Sequence, residues 1–152
     1  NLNDQFNNHK NLISKYNISQ NTISSRQHFL KWDPVVTPNI LNRVGINVDN
    51  SIGFYDHVGF RRGYCYEFNL FDLKSRSVTN VIEYPLIIMD VSIYSKSYMN
   101  LILNNSNVID MISNLINKIK FYEGNMSLLW HNNQLYNNKL YNFYKNLINM
   151  SK

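Results

Sequence analysis

The chain is 152 residues long, 44% hydrophobic and 14% aromatic, which excludes a disordered segment and gives one domain's worth of core-forming surface. Its 15 basic and 10 acidic residues leave a net charge of +5. The charge is spread without runs, and the aromatics are not interleaved with a basic stripe, so it reads as a mild attraction for anions and not as a nucleic-acid surface.

No stretch of about 18 apolar residues is present to span a bilayer. The single cysteine, Cys65, excludes an internal disulfide and fits a reducing compartment such as the cytoplasm. Asn1-Leu2-Asn3-Asp4 carries neither an initiator Met nor the apolar core of a signal peptide, and reads as the interior of a longer protein. Leu2 to Tyr16 predicts a helix, with Leu2, Phe6, Leu12 and Ile13 at helical spacing. Ile23 to Phe29 predicts a strand that carries Arg26, Gln27 and His28 just before the Asp33-Pro34 break. Thr37-Pro38 predicts an N-cap followed by Pro at the first helical position, with Ile40, Leu41 and Val44 as the apolar face and Gly45 as the left-handed stop.

Ile46 to Asp49 reads as a short buried strand. From Asn50 to Asn80 the regular signals fade, and the charged, glycine-bearing segment suits a structured loop above an active site. Pro85 to Ile93 (P-L-I-I-M-D-V-S-I) is the strongest strand signal. Val108 to Tyr122 predicts a helix with Gly124 as its stop, Met126 to Trp130 a strand, and Leu135 to Ile148 a last helix. This alternation predicts an α/β fold with a largely parallel sheet under covering helices.

Chemistry is expected at the strand ends, because the C-terminal ends of parallel strands face the binding crevice. His131 stands where Met126 to Trp130 runs out, and Arg26 and His28 near the end of an earlier strand. Asp49, Asp56 and Asp90 lie at or beyond strand ends, where a carboxylate can orient a histidine. A parallel sheet would gather His131, Arg26 and one or more of these aspartates on one rim. Each also has a plain structural reading: a histidine hydrogen-bonded in a loop, a surface cation, a buried carboxylate with partners.

G-F-R-R-G (Gly59 to Gly63) lacks the spacing of a nucleotide-phosphate loop, although Arg61 and Arg62 together can grip a carboxylated or phosphorylated glycan. Trp32 and Trp130 can stack on sugar faces or simply pack. No His-x-x-x-His zinc spacing is present.

The order S-R-Q-H-F-L-K-W, then G-I-N-V-D-N-S-I-G-F-Y-D-H-V-G-F-R-R-G, then E-Y-P-L-I-I-M-D, then L-L-W-H-N resembles the C-terminal half of polysaccharide deacetylase-like proteins of the NodB-homology superfamily, in the variant found with surface-polysaccharide biosynthesis genes. The resemblance covers roughly residues 1 to 148. It implies a distorted (β/α) barrel, present here as an incomplete C-terminal portion, a divalent metal with zinc the ion expected, and hydrolysis of an N- or O-acetyl group on a sugar.

Leu129-Trp130-His131 resembles the Leu-x-His motif whose histidine is the general acid. Arg26 resembles the arginine of R-x-P-Y that orients the catalytic aspartate, with Gln27-His28-Phe29 standing in place of x-Pro-Tyr. Asp49 or Asp56 would support the acid histidine, while Trp130, Arg61, Arg62, Trp32 and Asp90 would contact substrate. The family's T-F-D-D and H-x-x-x-H motifs have no match and are expected upstream of Asn1. His28 is then expected either to complete the metal's shell or to hydrogen-bond a carboxylate or pack beneath Phe29 and Trp32. The alternative function is a non-catalytic carbohydrate-binding or scaffold protein on a degenerate deacetylase fold.

Overall fold

The computed structural model describes residues 2–152, with side chains from residue 3 onward. These residues form a mixed α/β structure of five α-helices, a four-stranded mixed sheet and a two-stranded parallel sheet, and no closed barrel is identified among them. The chain divides into two compact units, Asn1–Ser51 with Glu67–Glu83, and Ile52–Tyr66 with Tyr84–Lys152.

In the first unit, α1 (Leu2–Lys15) buries Phe6 and leaves Leu12 exposed, while the place expected for the Leu2 side chain lies outside the described residues. α2 (Thr37–Val44) has Val36 as its N-cap without a side-chain cap hydrogen bond, so Thr37 is the first helical residue and not the cap, and Asp33 organises the turn before it. Asp33 Oδ1 accepts from the N–H groups of Val35 and Val36 at 2.8 and 3.2 Å, and Thr37 Oγ1 accepts in return from Asp33 N–H at 3.0 Å. This reciprocal pair satisfies the backbone donors of the turn that leads into the helix. At the other end Gly45 takes φ 87°, the left-handed geometry in which a side chain is strained.

The strands β1 (Ser24–Ser25), β2 (Val48–Asp49), β3 (Phe68–Asp72) and β4 (Ser77–Glu83) lie in the order β1-β2-β4-β3. β1 and β4 each run parallel to β2, and β3 is an antiparallel edge strand on β4. The β3–β4 hairpin corrects the expectation of an unbroken loop from Asn50 to Asn80. Its buried positions are Leu70, Asp72, Thr79, Val81 and Glu83, whereas Phe71 and Val78 face outward. Polar residues inside and apolar ones outside erase the period-2 hydropathy that marks a strand. The interior accepts Asp72 and Thr79 because they are hydrogen-bonded. Asn39 Nδ2 and Ser75 Oγ each donate to Asp72 at 2.8 Å, and Thr79 Oγ1 donates to Leu70 O at 3.0 Å.

The second unit holds β5 (Ile88–Met89), α3 (Asp90–Tyr94), α4 (Ser106–Phe121), β6 (Leu128–Leu129) and α5 (Asn138–Ser151). The strand expected from Pro85 to Ile93 is only Ile88 and Met89. Pro85 has no N–H, and the backbone beyond it bonds to scattered partners: Leu86 N–H to Ile52 O at 2.9 Å, Ile87 N–H to Ser127 O at 3.1 Å, and Gly59 N–H to Ile87 O at 2.9 Å. The apolar run marks a buried segment, which hydropathy alone does not distinguish from a strand.

α4 packs Val108, Ile112, Ile116 and Ile119 against Ile93 and against Phe143 and Leu147 of α5. Each such side chain contributes about 2 kcal/mol through burial. Its left-handed terminator is Glu123 (φ 51°), not Gly124. Glu123 N–H bonds Lys120 O at 3.1 Å and Gly124 N–H bonds Ile119 O at 2.8 Å, closing the helix in a Schellman arrangement. The last helix begins later than predicted, because a 3-10 turn over Asn132–Tyr136 precedes it and Asn137 caps it, accepting from Lys139 N–H at 3.0 Å.

Candidate functional site

β5 and β6 pair in parallel with Met89 beside Leu129, so the residues that follow each strand emerge at the same end. Those residues include Asp90 and His131. Asp90 is fully buried in the first turn of α3. It accepts from the main-chain N–H of Val91 at 2.7 Å and of His131 at 2.8 Å, and its Oδ1 lies 2.7 Å from His131 Nδ1. A carboxylate that already takes two backbone N–H groups acts as the acceptor, so Nδ1 carries the hydrogen and Nε2 is the nitrogen left to react.

The His131 side chain is 45% exposed and that of Asp90 0%. The arrangement is therefore an imidazole fixed from beneath and open to solvent. Tyr94, on the same short helix, has its hydroxyl pKa raised by burial and then by the charge of Asp90.

The aspartate supporting His131 is thus Asp90, which was expected among the substrate contacts. Asp56, expected in that role, pairs with its neighbour: its Oδ1 lies 2.8 Å from His57 Nδ1, and the His57 ring stacks on Phe54 at 3.8 Å. Asp49, the other expected partner, belongs to the first unit. Arg61 Nη1 donates to Gly53 O at 2.9 Å, and its neighbour Arg62 is exposed. Trp130 is half-buried and packs against Phe143 and Tyr144 at ring-centroid distances of 6.2 and 5.2 Å, with its Nε1 buried and lacking a hydrogen-bond acceptor. Core packing is its observed role.

The first unit has a polar row of its own. Ser25, Asp49 and Glu83 end β1, β2 and β4 and are register partners, so their side chains share one face of the sheet. Asp49 and Glu83 are fully buried. Ser25 Oγ donates to Asp49 Oδ1, and Ser51 N–H donates to Oδ2 at 2.9 Å. Arg26, the next residue after β1, donates through Nε to Asn50 O at 3.2 Å. Partial burial lowers its pKa, and the negative charges of Asp49 and Glu83 oppose that shift.

Ser25, Ser51 and Glu83 were not singled out from sequence. The available signal for Glu83 was its place directly before Tyr84-Pro85.

His28 opens the 3-10 turn at His28–Leu30, its ring 4.1 Å from that of Phe29, and Trp32 follows half-buried. His28 lines a cavity that Arg26 and Lys31 also line, and two cations oppose a divalent metal there. Among the described residues no group of three or more His, Cys, Asp or Glu side chains is placed to hold a metal ion. Arg26 and Asp49 gather in one unit, and Asp56, Asp90 and His131 belong to the other. No protein-family model, curated protein or solved structure matches the chain.

Proposed function

We propose that the chain is part of a carbohydrate deacetylase that hydrolyses an N- or O-acetyl group on a surface-polysaccharide sugar, with His131 as the proton donor and Asp90 as the group that holds it. The Asp90–His131 pair carries this reading. Expelling an amine from a tetrahedral intermediate requires a proton on the leaving nitrogen. A protonated Nε2 on an exposed imidazole can deliver that proton while the buried carboxylate fixes the ring and stabilises the imidazolium. The resemblance of Leu129-Trp130-His131 to the Leu-x-His motif gives His131 the same role.

The orienting role that the resemblance implies for Arg26 belongs to the same proposal; in the first unit its charge interacts with those of Asp49 and Glu83. The incomplete (β/α) barrel and the zinc expected from the resemblance belong to the same proposal. The metal enters no step here, because the described residues do not assemble its ligands.

Acetate release from N-acetylated and O-acetylated oligosaccharides by the full gene product, with and without chelator, is the direct test. The expected result is release that His131→Ala removes; absence of release from every acetylated sugar tried would sink the proposal. A second reading, a carbohydrate-binding or scaffold protein without turnover, is favoured by Gln27-His28-Phe29 standing where x-Pro-Tyr is expected.

A further inference from the structure

The Asp90–His131 pair leaves unused a cavity of about 480 Å³ in the first unit. Its lining includes residues of α1 and of the edge strand β1, and its volume falls within the range of small-molecule pockets, roughly 300–1,000 Å³. His9, Arg26, His28 and Lys31 line it, Phe6 and Ile46 supply an apolar side, and no aspartate or glutamate is among its lining residues. Asp49 and Glu83 act electrostatically on Arg26, so its charge is partly matched and Lys31 adds the further cation.

The backbone holds this lining in an unusual way. Phe29 and Leu30 are consecutive at φ 58° and 51°, left-handed geometry that bulky side chains avoid. Leu30 is buried and Phe29 is 76% exposed. The turn is closed by Leu30 N–H to Gln27 O at 2.9 Å and Lys31 N–H to His28 O at 3.4 Å. Strain of this kind persists where the surroundings enforce it and concentrates at ligand sites. Here it brings His28 and Lys31 to the same cavity.

We propose that this cavity binds a phosphate monoester. A dianion with three terminal oxygens uses cationic and imidazole donors arriving from several residues, whereas a carboxylate is satisfied by one guanidinium fork. Phe6 and Ile46 then meet the carbon skeleton of the ester. The proposal uses neither Asp90 nor His131, and shares only Arg26 with the deacetylase reading.

Titration of the chain with inorganic phosphate, glucose 6-phosphate, glycerol 3-phosphate and glucuronate at constant ionic strength, followed by amide chemical shifts, tests it. Expected is saturable binding of at least one ester, tighter than glucuronate, with the largest shifts at the cavity lining. Lys31→Gln should weaken it about tenfold, the loss of one charge-assisted hydrogen bond, and His28→Gln by a smaller factor. Lys145→Glu in the other unit should change it little, and thermal melts of each variant separate lost binding from lost folding. Absence of saturation by either ester, equal binding of glucuronate, binding of inorganic phosphate alone, or an equal loss in Lys145→Glu would each overturn the assignment.

Discussion

Asp90 has no exposed surface and accepts three hydrogen bonds, two of them from backbone N–H groups. Asp90→Asn would place an amide NH2 against one of these donors and invite Nδ1 of His131 to become an acceptor, moving the ring hydrogen to Nε2. Turnover should fall by about two to four orders of magnitude, with a stability loss of about 1–3 kcal/mol from the unsatisfied donor. Steady-state kinetics paired with thermal melts checks both; unchanged turnover would remove the pair from the chemistry.

Asp72 makes a different prediction. Donation from Asn39 and Ser75, then from the backbone at Lys74 and Ser75, holds its pKa at about 2 against an ordinary 3.8. A folded-state pKa below the unfolded one stabilises the fold above the unfolded value and loses that contribution as pH falls through the folded value. Wild type should therefore lose stability between about pH 4 and pH 2 relative to Asp72→Asn. Denaturant melts across that window would show parallel curves for the two proteins if the carboxylate contributes nothing.

At the scale of elements, α1, α2, α4 and α5 were legible from apolar residues at helical spacing, whereas α3 lies where the sequence predicts the end of the Pro85 to Ile93 strand. Val108, Ile112, Ile116 and Ile119 announce α4, and Gly45 marks the end of α2. The β3–β4 hairpin was illegible because Asp72, Thr79 and Glu83 occupy its inward positions while Phe71 and Val78 face outward. The pairing of Asp90 with His131 depends on β5 lying beside β6, a non-local fact that neither short strand carries in its own residues.

Gly124, expected as the stop of α4, helps to close the helix through its N–H to Ile119 O and has a second role that helical periodicity does not show. It is absent from the left-handed positions, and its lack of a side chain matters because a Cβ would stand 2.1 Å from Cys65 Sγ. Asn125 N–H to Cys65 O at 2.8 Å ties the two segments together, and burial raises the thiol's pKa, so Cys65 is a packed neutral group. Gly124→Ala should destabilise by about 1–3 kcal/mol through overpacking. Combining it with Cys65→Ala should recover part of the loss, and a double-mutant cycle with no coupling would refute the contact.

Across the whole molecule, the fully buried carboxylates Asp49, Glu83 and Asp90 all stand at, or immediately after, the C-terminal ends of strands that pair in parallel. Burying a carboxylate is costly unless it is satisfied, and Asp49 and Asp90 each accept from backbone N–H and from a side-chain donor. The deacetylase and scaffold readings agree that a glycan binds, and differ in what His131 does to it. A proton donor acts on charge that develops as the leaving nitrogen departs, so its removal should spare ground-state affinity. In the deacetylase reading His131→Ala lowers kcat by about two to four orders of magnitude. Binding of an acetylated oligosaccharide, measured on the same samples, should change by less than about threefold, since uniform binding is untouched. In the scaffold reading neither protein releases acetate and the two bind alike. Loss of binding together with turnover would place His131 among the groups that hold the sugar, and the proton-transfer role would then have to move to another residue.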